Sequence, residues 1–176
     1  MRPLDRPLAL IGLMGAGKTS VAQCLGERLA VPVADLDAWV EAEAGLSIAE
    51  LFDAEGEPSF RRRERRALEQ ALAGGVRVLA CGGGVVLDPI ARERLRECHT
   101  VWLEVSAAEA ARRLGATDVA RRPMLQGRDT QNRLSELLTQ RGELYRDSAD
   151  ARVVTDGASV EQVADRVLEA IEGHAP

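Results

Sequence analysis

The sequence predicts an α/β domain with a five-stranded parallel sheet covered by helices on both faces, a three-layer α/β/α arrangement. Three observations carry this prediction. Short apolar runs alternate along the chain with segments of helical spacing, the pattern that sets strands side by side under crossover helices. The first run leads directly into a glycine-rich turn, Gly12 to Thr19, placed where strand passes to helix. A polar stretch from Gly115 to Asp129 lacks helical periodicity and exceeds an ordinary connection, which marks a mobile functional loop.

The elements follow in order. Leu8 to Gly12 is an apolar run closed by glycine, a buried strand, and Thr19 to Ala30 has helical spacing through Val21, Cys24, Leu25 and Leu29. Val31 to Asp37 reads as a second strand ending in two acids. Ala38 to Gly45 and Ser47 to Glu55 read as short helices, with Ser47 and Glu50 forming a capping box. Pro58 to Ala73 is a charged helix stopped by Gly74 and Gly75. Val76 to Ala80 is the third strand, and it opens into Gly82-Gly83-Gly84. Asp88 to Glu97 is helical with Pro89 as its first residue. Thr100 to Val105 is the fourth strand, and Ser106 caps a helix to about Leu114. Thr130 to Ser148 is the longest amphipathic helix, Ala151 to Thr155 the fifth strand, and Ser159 to Glu172 the last helix. No repeat or linker interrupts the pattern, so residues 1–176 are expected to form a single domain.

Composition narrows the function. Apolar residues make up 45% of 176 residues, enough for a core without metals or disulfides. A net charge of −5 and only 3% aromatics argue against a nucleic-acid binder, which needs basic patches or base-stacking rings. Cys24, Cys81 and Cys98 have no metal-like spacing and suit free thiols in a reducing compartment. No apolar stretch could span a bilayer and the first residues show no secretory pattern. The expectation is a cytoplasmic monomer.

Gly12 to Thr19 matches G-x-x-x-x-G-K-[ST] in full. Glycines let the backbone fold around a phosphate and turn N–H groups inward, and the following helix adds the positive end of its dipole. Lys18 supplies a compact cation, and Thr19 offers a hydroxyl to Mg²⁺. Lys18 is also the only lysine in a chain whose other basic side chains are arginine and histidine. The function this predicts is ATP-dependent phosphoryl transfer.

Asp35 and Asp37, spaced by two at a strand end, are expected to project to the same side, at the carboxyl edge where open α/β sheets hold ligands. One could organise the metal while the other meets a substrate hydroxyl; a capping role for Asp37 competes with this. In Phe60 to Arg66, helical geometry disperses the arginines, and Glu57, Glu64 and Glu69 dilute them into a solvated face. Arg61 and Arg65 share one side, so one or two could reach a site. Arg121, Arg122 and Arg128 lie in the polar loop and could close over a phosphate. Gly82 to Gly84 would let a ligand approach the backbone. Cys81 reads as a buried thiol, and neither His99 nor His174 completes a triad or a zinc site.

The ordered set GLMGAGKTS, DLD, GEPSFRRRE, CGGG, RRPML and RGELY resembles shikimate kinases, in the nucleoside-monophosphate-kinase-like branch of P-loop proteins, over about Leu8 to Leu168. The resemblance implies a P-loop kinase fold with a mobile lid at about 113–128 and ATP-dependent phosphorylation of the 3-hydroxyl of shikimate, in aromatic amino-acid biosynthesis. It implies ATP contacts from Gly15, Ala16, Gly17, Lys18, Thr19, Ser20, Arg113 and Arg122, and a Mg²⁺ held by Thr19 and Asp35. Asp37 would bind the ring hydroxyls, Arg61 and Arg141 the carboxylate, and Gly82, Gly83 and Gly84 would complete the acceptor pocket. Lys18, Asp37 and Arg122 would be catalytic. Arg112 is an alternative to Arg113 beside the adenine, and Arg121 to Arg122 in the lid. Another small-metabolite kinase, such as a gluconate kinase, and a non-catalytic nucleotide-binding module are the competing readings.

Overall fold

The structure is a computed structural model that describes residues 4–115, 123–125 and 129–173. Five strands, Leu8–Ile11 (β1), Val33–Asp35 (β2), Val78–Ala80 (β3), His99–Glu104 (β4) and Ala151–Val154 (β5), form one sheet in the order β2-β3-β1-β4-β5. Every described pairing is parallel. β1 is central, with Leu10 opposite Ala80 on one side and Val101 on the other.

The helices are Lys18–Leu29 (α1), Leu36–Ala44 (α2), Ile48–Ala73 (α3), Pro89–Leu95 (α4), Ala107–Arg113 (α5), Thr130–Ser148 (α6) and Val160–Glu172 (α7), with short 3-10 turns at Val85–Leu87 and Pro123–Leu125. Strand alternation divides their packing. Leu8 and Leu10 of β1 face a core shared with α1, α5, α7 and Leu134 and Leu137 of α6. Ala9 and Ile11 face the opposite core, built with α2, α3, α4 and Tyr145 of α6. The sheet is therefore covered on both faces, as the alternating pattern requires.

α1 leaves β1 across one face and α4 leaves β3 across the other. Adjacent strands whose connections depart to opposite faces open a crevice at their carboxyl ends. Both glycine-rich turns, after β1 and after β3, sit at that crevice.

Strand and helix ends shift by one to three residues from the sequence reading, and two of the differences bear on the site. β2 stops at Asp35, and α2 starts at Leu36 rather than Ala38. The cause is Asp35 itself, whose carboxylate accepts from the backbone N–H of Asp37 and Ala38 and caps the helix. The two predicted helices at 47–55 and 58–73 run as one element, α3, broken at Gly56, whose φ of 76° only glycine adopts easily. The Ser47–Glu50 capping box and Pro89 in the first turn of α4 are where the pattern put them.

Candidate functional site

The turn after β1 builds one wall of a cavity at the start of α1. Gly17 holds a left-handed φ of 87° as the N-cap of α1, so the helix begins at Lys18 with its N–H groups open toward the turn. Lys18 Nζ folds back over the loop and donates to the carbonyls of Gly12 and Leu13 at 2.8 and 2.9 Å. A cavity of about 450 Å³ opens here, lined by residues 15–20, by Asp35 and Asp37, and by Gly83 and Arg113.

Arg113, at the end of α5, closes one wall. Its guanidinium donates to the carbonyl of Gly15 at 3.3 Å and to the hydroxyl and carbonyl of Thr155 at 3.1 and 2.6 Å. Glu109, one turn back, accepts from its Nε at 2.8 Å. Arg112, the alternative for this position, points to solvent and, among the described residues, pairs with Glu109. The two arginines together hold the Glu109 carboxyl well below the usual range.

On the far side of the loop, Thr19 Oγ1 donates to Asp35 Oδ2 at 2.5 Å. Asp35 Oδ1 is occupied by the α2 cap, which fixes the carboxylate plane. The expected same-side projection of Asp35 and Asp37 along a strand does not hold, because Asp37 stands in the first turn of α2. Both nevertheless line the cavity. One carboxylate and one hydroxyl, both hard oxygen donors, suit Mg²⁺, which keeps several waters and phosphate oxygens and needs few protein ligands. Among the described residues no group of three His, Cys, Asp or Glu side chains could hold a metal instead.

The turn after β3 is where the remaining groups meet. A Cβ on Gly82 would overlap Glu64 Oε1 and press against Asp37 Oδ1. One on Gly84 would overlap the Arg61 guanidinium. One on Gly83 would touch Gly12 O and Met14 N of the phosphate loop and lie 3.9 Å from the Arg141 guanidinium. Three bare positions thus let Asp37, Arg61, Arg141 and the loop approach one backbone segment.

Arg61 is held from two sides, by Glu64 at 2.6 Å and by Glu57 at 3.1 Å. Glu64 is only 2% exposed, and its other oxygen is buried with no hydrogen-bond partner among the described residues. Burial pushes its carboxyl up to about 7, against the opposing pull of Arg61, and the neighbouring Asp37 charge pushes the same way. Arg141 is 3% exposed and donates to the Gly83 carbonyl at 3.0 Å, and Tyr145, one turn later on α6, donates its hydroxyl to the same oxygen. Burial pushes the Tyr145 phenol up to about 12 and the Cys81 thiol well above its usual value, so both stay neutral.

Among the predicted residues, Arg122, Arg121 and Arg128 lie outside the described residues, as do His174 and most of the lid. Arg65 does not join the site; it pairs with Asp88 at 3.2 Å. Glu64 corrects the sequence reading, which placed it among surface charges diluting an arginine run. Its spacing of three from Arg61 was the available signal, since such a pair shares one helix side. Tyr145 carried no functional signal beyond its place in the RGELY motif.

A family model described as shikimate kinase matches residues 14–172. The chain belongs to the shikimate kinase family. The shikimate kinase of Symbiobacterium thermophilum is 40% identical over 166 residues, covering 94% of this chain and 95% of that one. Shikimate kinase from Acinetobacter baumannii, solved in complex with shikimate, superposes with a TM-score of 0.91 at 32% identity, over 96% of this chain and 93% of that one. A gluconokinase from Sinorhizobium meliloti covers 98% of this chain and 94% of its own, at 16% identity and a TM-score of 0.59, and shares the fold alone. Family membership makes the protein an ATP-dependent kinase acting on shikimate, and the gluconate-kinase and non-catalytic readings are not favoured. No helix among the described residues is long and apolar enough to cross a membrane.

Proposed function

We propose that this shikimate kinase family member moves the γ-phosphoryl group of ATP to the 3-hydroxyl of shikimate across the crevice between β1 and β3, with Lys18, Asp37 and Arg122 as its catalytic residues. The observation that supports this best is the triple-glycine turn. A carboxylate (Asp37), two guanidinium groups (Arg61 and Arg141) and the phosphate loop all come to within a side chain's reach of Gly82 to Gly84. An acceptor seated there lies against the phosphate cradle, and in-line transfer needs mainly this positioning together with charge neutralisation.

Arg61 and Arg141 match the acceptor's single carboxylate, which a guanidinium fork binds with charge-assisted hydrogen bonds. To do so Arg61 turns part of its fork away from Glu64 and Glu57. Asp37 accepts from neighbouring ring hydroxyls and orients the reacting one. Lys18 exchanges the carbonyls of Gly12 and Leu13 for phosphate oxygens, while residues 15–20 supply backbone N–H groups. Arg113, braced by Glu109 and Thr155, lies beside the adenine. Arg122 carries the lid role, stabilising charge on the transferring group, and lid closure keeps water from competing with the acceptor. Thr19 and Asp35 would hold Mg²⁺; what the ion supplies when bound is neutralisation of phosphate charge. The free cysteines and net negative charge suit a cytoplasmic enzyme working as a monomer.

Release of ADP with shikimate as the sole acceptor, with and without Mg²⁺, tests the reading. Turnover that needs both supports it. ATP binding without phosphorylation of any acceptor would mean a nucleotide-binding module instead.

A further inference from the structure

Two donors on α6 converge on a single carbonyl. Arg141 and Tyr145 are four residues apart, so their side chains lie on the same side of the helix, one turn above the other. Both donate to Gly83 O, which has two lone pairs and is thereby saturated. Tyr145 is wholly buried, and its ring stacks on Trp102 with centroids 5.8 Å apart and planes 26° from parallel. Trp102 belongs to β4 beside Ile11, and its Cδ1 stands 3.3 Å from where a Cβ on Gly12 would be. The phenol is thus held by the wall that supports the phosphate loop, while its hydroxyl holds the acceptor turn.

This arrangement matters because Arg141 has two tasks. Its guanidinium is proposed to bind the acceptor's carboxylate, and in the structure it also satisfies the half-buried Gly83 carbonyl. A carbonyl turned into the protein and left without a partner is costly even when half-buried, so a lone Arg141 would be tied to Gly83. The Tyr145 hydroxyl removes that conflict. It also sets the peptide plane: with the Gly83 carbonyl turned toward α6, the N–H of Gly84 in a trans peptide points the opposite way. Among the described residues neither the Gly83 nor the Gly84 amide donates a hydrogen bond within the protein. Their donors are left for a ligand.

We infer that Tyr145 is a positioning residue for acceptor binding: its hydroxyl anchors the Gly83 carbonyl so that Arg141 can turn to the acceptor and the Gly84 N–H stays presented to it. The inference rests on the shikimate reading of the pocket. It predicts that the hydroxyl serves acceptor affinity and leaves the nucleotide side alone.

Tyr145→Phe tests it, because the substitution deletes one oxygen and keeps the ring packed on Trp102. The expected result is a rise in the KM for shikimate of about three- to tenfold, the worth of one hydrogen bond, with kcat and the KM for ATP changed by less than about twofold. Calorimetric titration with shikimate alone should give the same ratio without depending on turnover. An unchanged KM for shikimate, or equal rises in both KM values, would overturn the role. A wild-type enzyme that neither binds nor phosphorylates shikimate would instead refute the proposed function.

Discussion

Glu64→Gln separates a proton-linked acceptor site from a simple ion pair. Glu64 is buried against Arg61, with Asp37, Arg141, Tyr145 and Cys81 as its other charged or titratable neighbours, and its carboxyl is pushed from 4.5 to about 7. Arg61 is the main group holding it that low. When a substrate carboxylate draws the Arg61 guanidinium away, that restraint weakens and the carboxyl rises further. Above pH 7 the unliganded protein carries Glu64 ionised, whereas the complex favours the protonated acid, so binding takes up a proton. Acceptor affinity then falls as pH rises, by up to about tenfold per pH unit, which amounts to roughly tenfold between pH 7 and pH 8.5. Below pH 7 the dependence on this group fades. Shikimate titrated calorimetrically at pH 8, in two buffers of different ionisation enthalpy, should show uptake approaching one proton for the wild type and near zero for Glu64→Gln. Equal proton uptake in both proteins, or none in the wild type, would refute the coupling. Folding carries the same sign: a carboxyl raised in the folded state stabilises the fold fully below pH 4.5 and loses that contribution as pH climbs to about 7. The melting temperature of Glu64→Gln should therefore vary less over that interval than the wild type's.

Three other outcomes follow from the geometry. Lys18→Ala and Asp37→Asn should each lower kcat by about 10² or more with unchanged circular dichroism, the usual cost of removing a charge-stabilising or orienting group; near-normal kcat in either would remove the assigned role. Gly84→Ala places a methyl group where the Arg61 guanidinium lies, so the KM for shikimate should rise at least about tenfold while the KM for ATP holds, as steady-state kinetics would show. Arg113→Ala should give the reverse split, raising the KM for ATP by about tenfold, because its contacts run to Gly15 and Thr155 on the nucleotide side; Arg112→Ala should change neither.

Where the sequence was legible, the reason was local chemistry. The phosphate loop needs glycine, lysine and threonine at fixed offsets, and the capping residues Ser47 and Ser106 act on N–H groups within a few residues. The strand alternation that separates Leu8 and Leu10 from Ala9 and Ile11 is likewise written in the chain. What escaped was set by contacts distant in sequence. Asp35 could serve as a strand residue or a cap; in the fold its carboxylate takes the cap, and Leu36 beside it is buried. Glu64 looks like any charge on a basic helix until β3 and its glycine turn are laid beside it. Tyr145 gains a role only because Gly83, 62 residues earlier, turns a carbonyl toward it. Burial of a polar group is a tertiary property, and neither composition nor periodicity reports it.

The central claim is that the triple-glycine turn seats the acceptor's hydroxyl in line with a nucleotide held by the first loop. Phosphorus NMR of the product made from ATP, Mg²⁺ and shikimate tests it most directly. One phosphate ester on the 3-hydroxyl per ADP released is the predicted result. ADP accumulating without any phosphorylated shikimate, or a phosphate carried on a different hydroxyl, would contradict it.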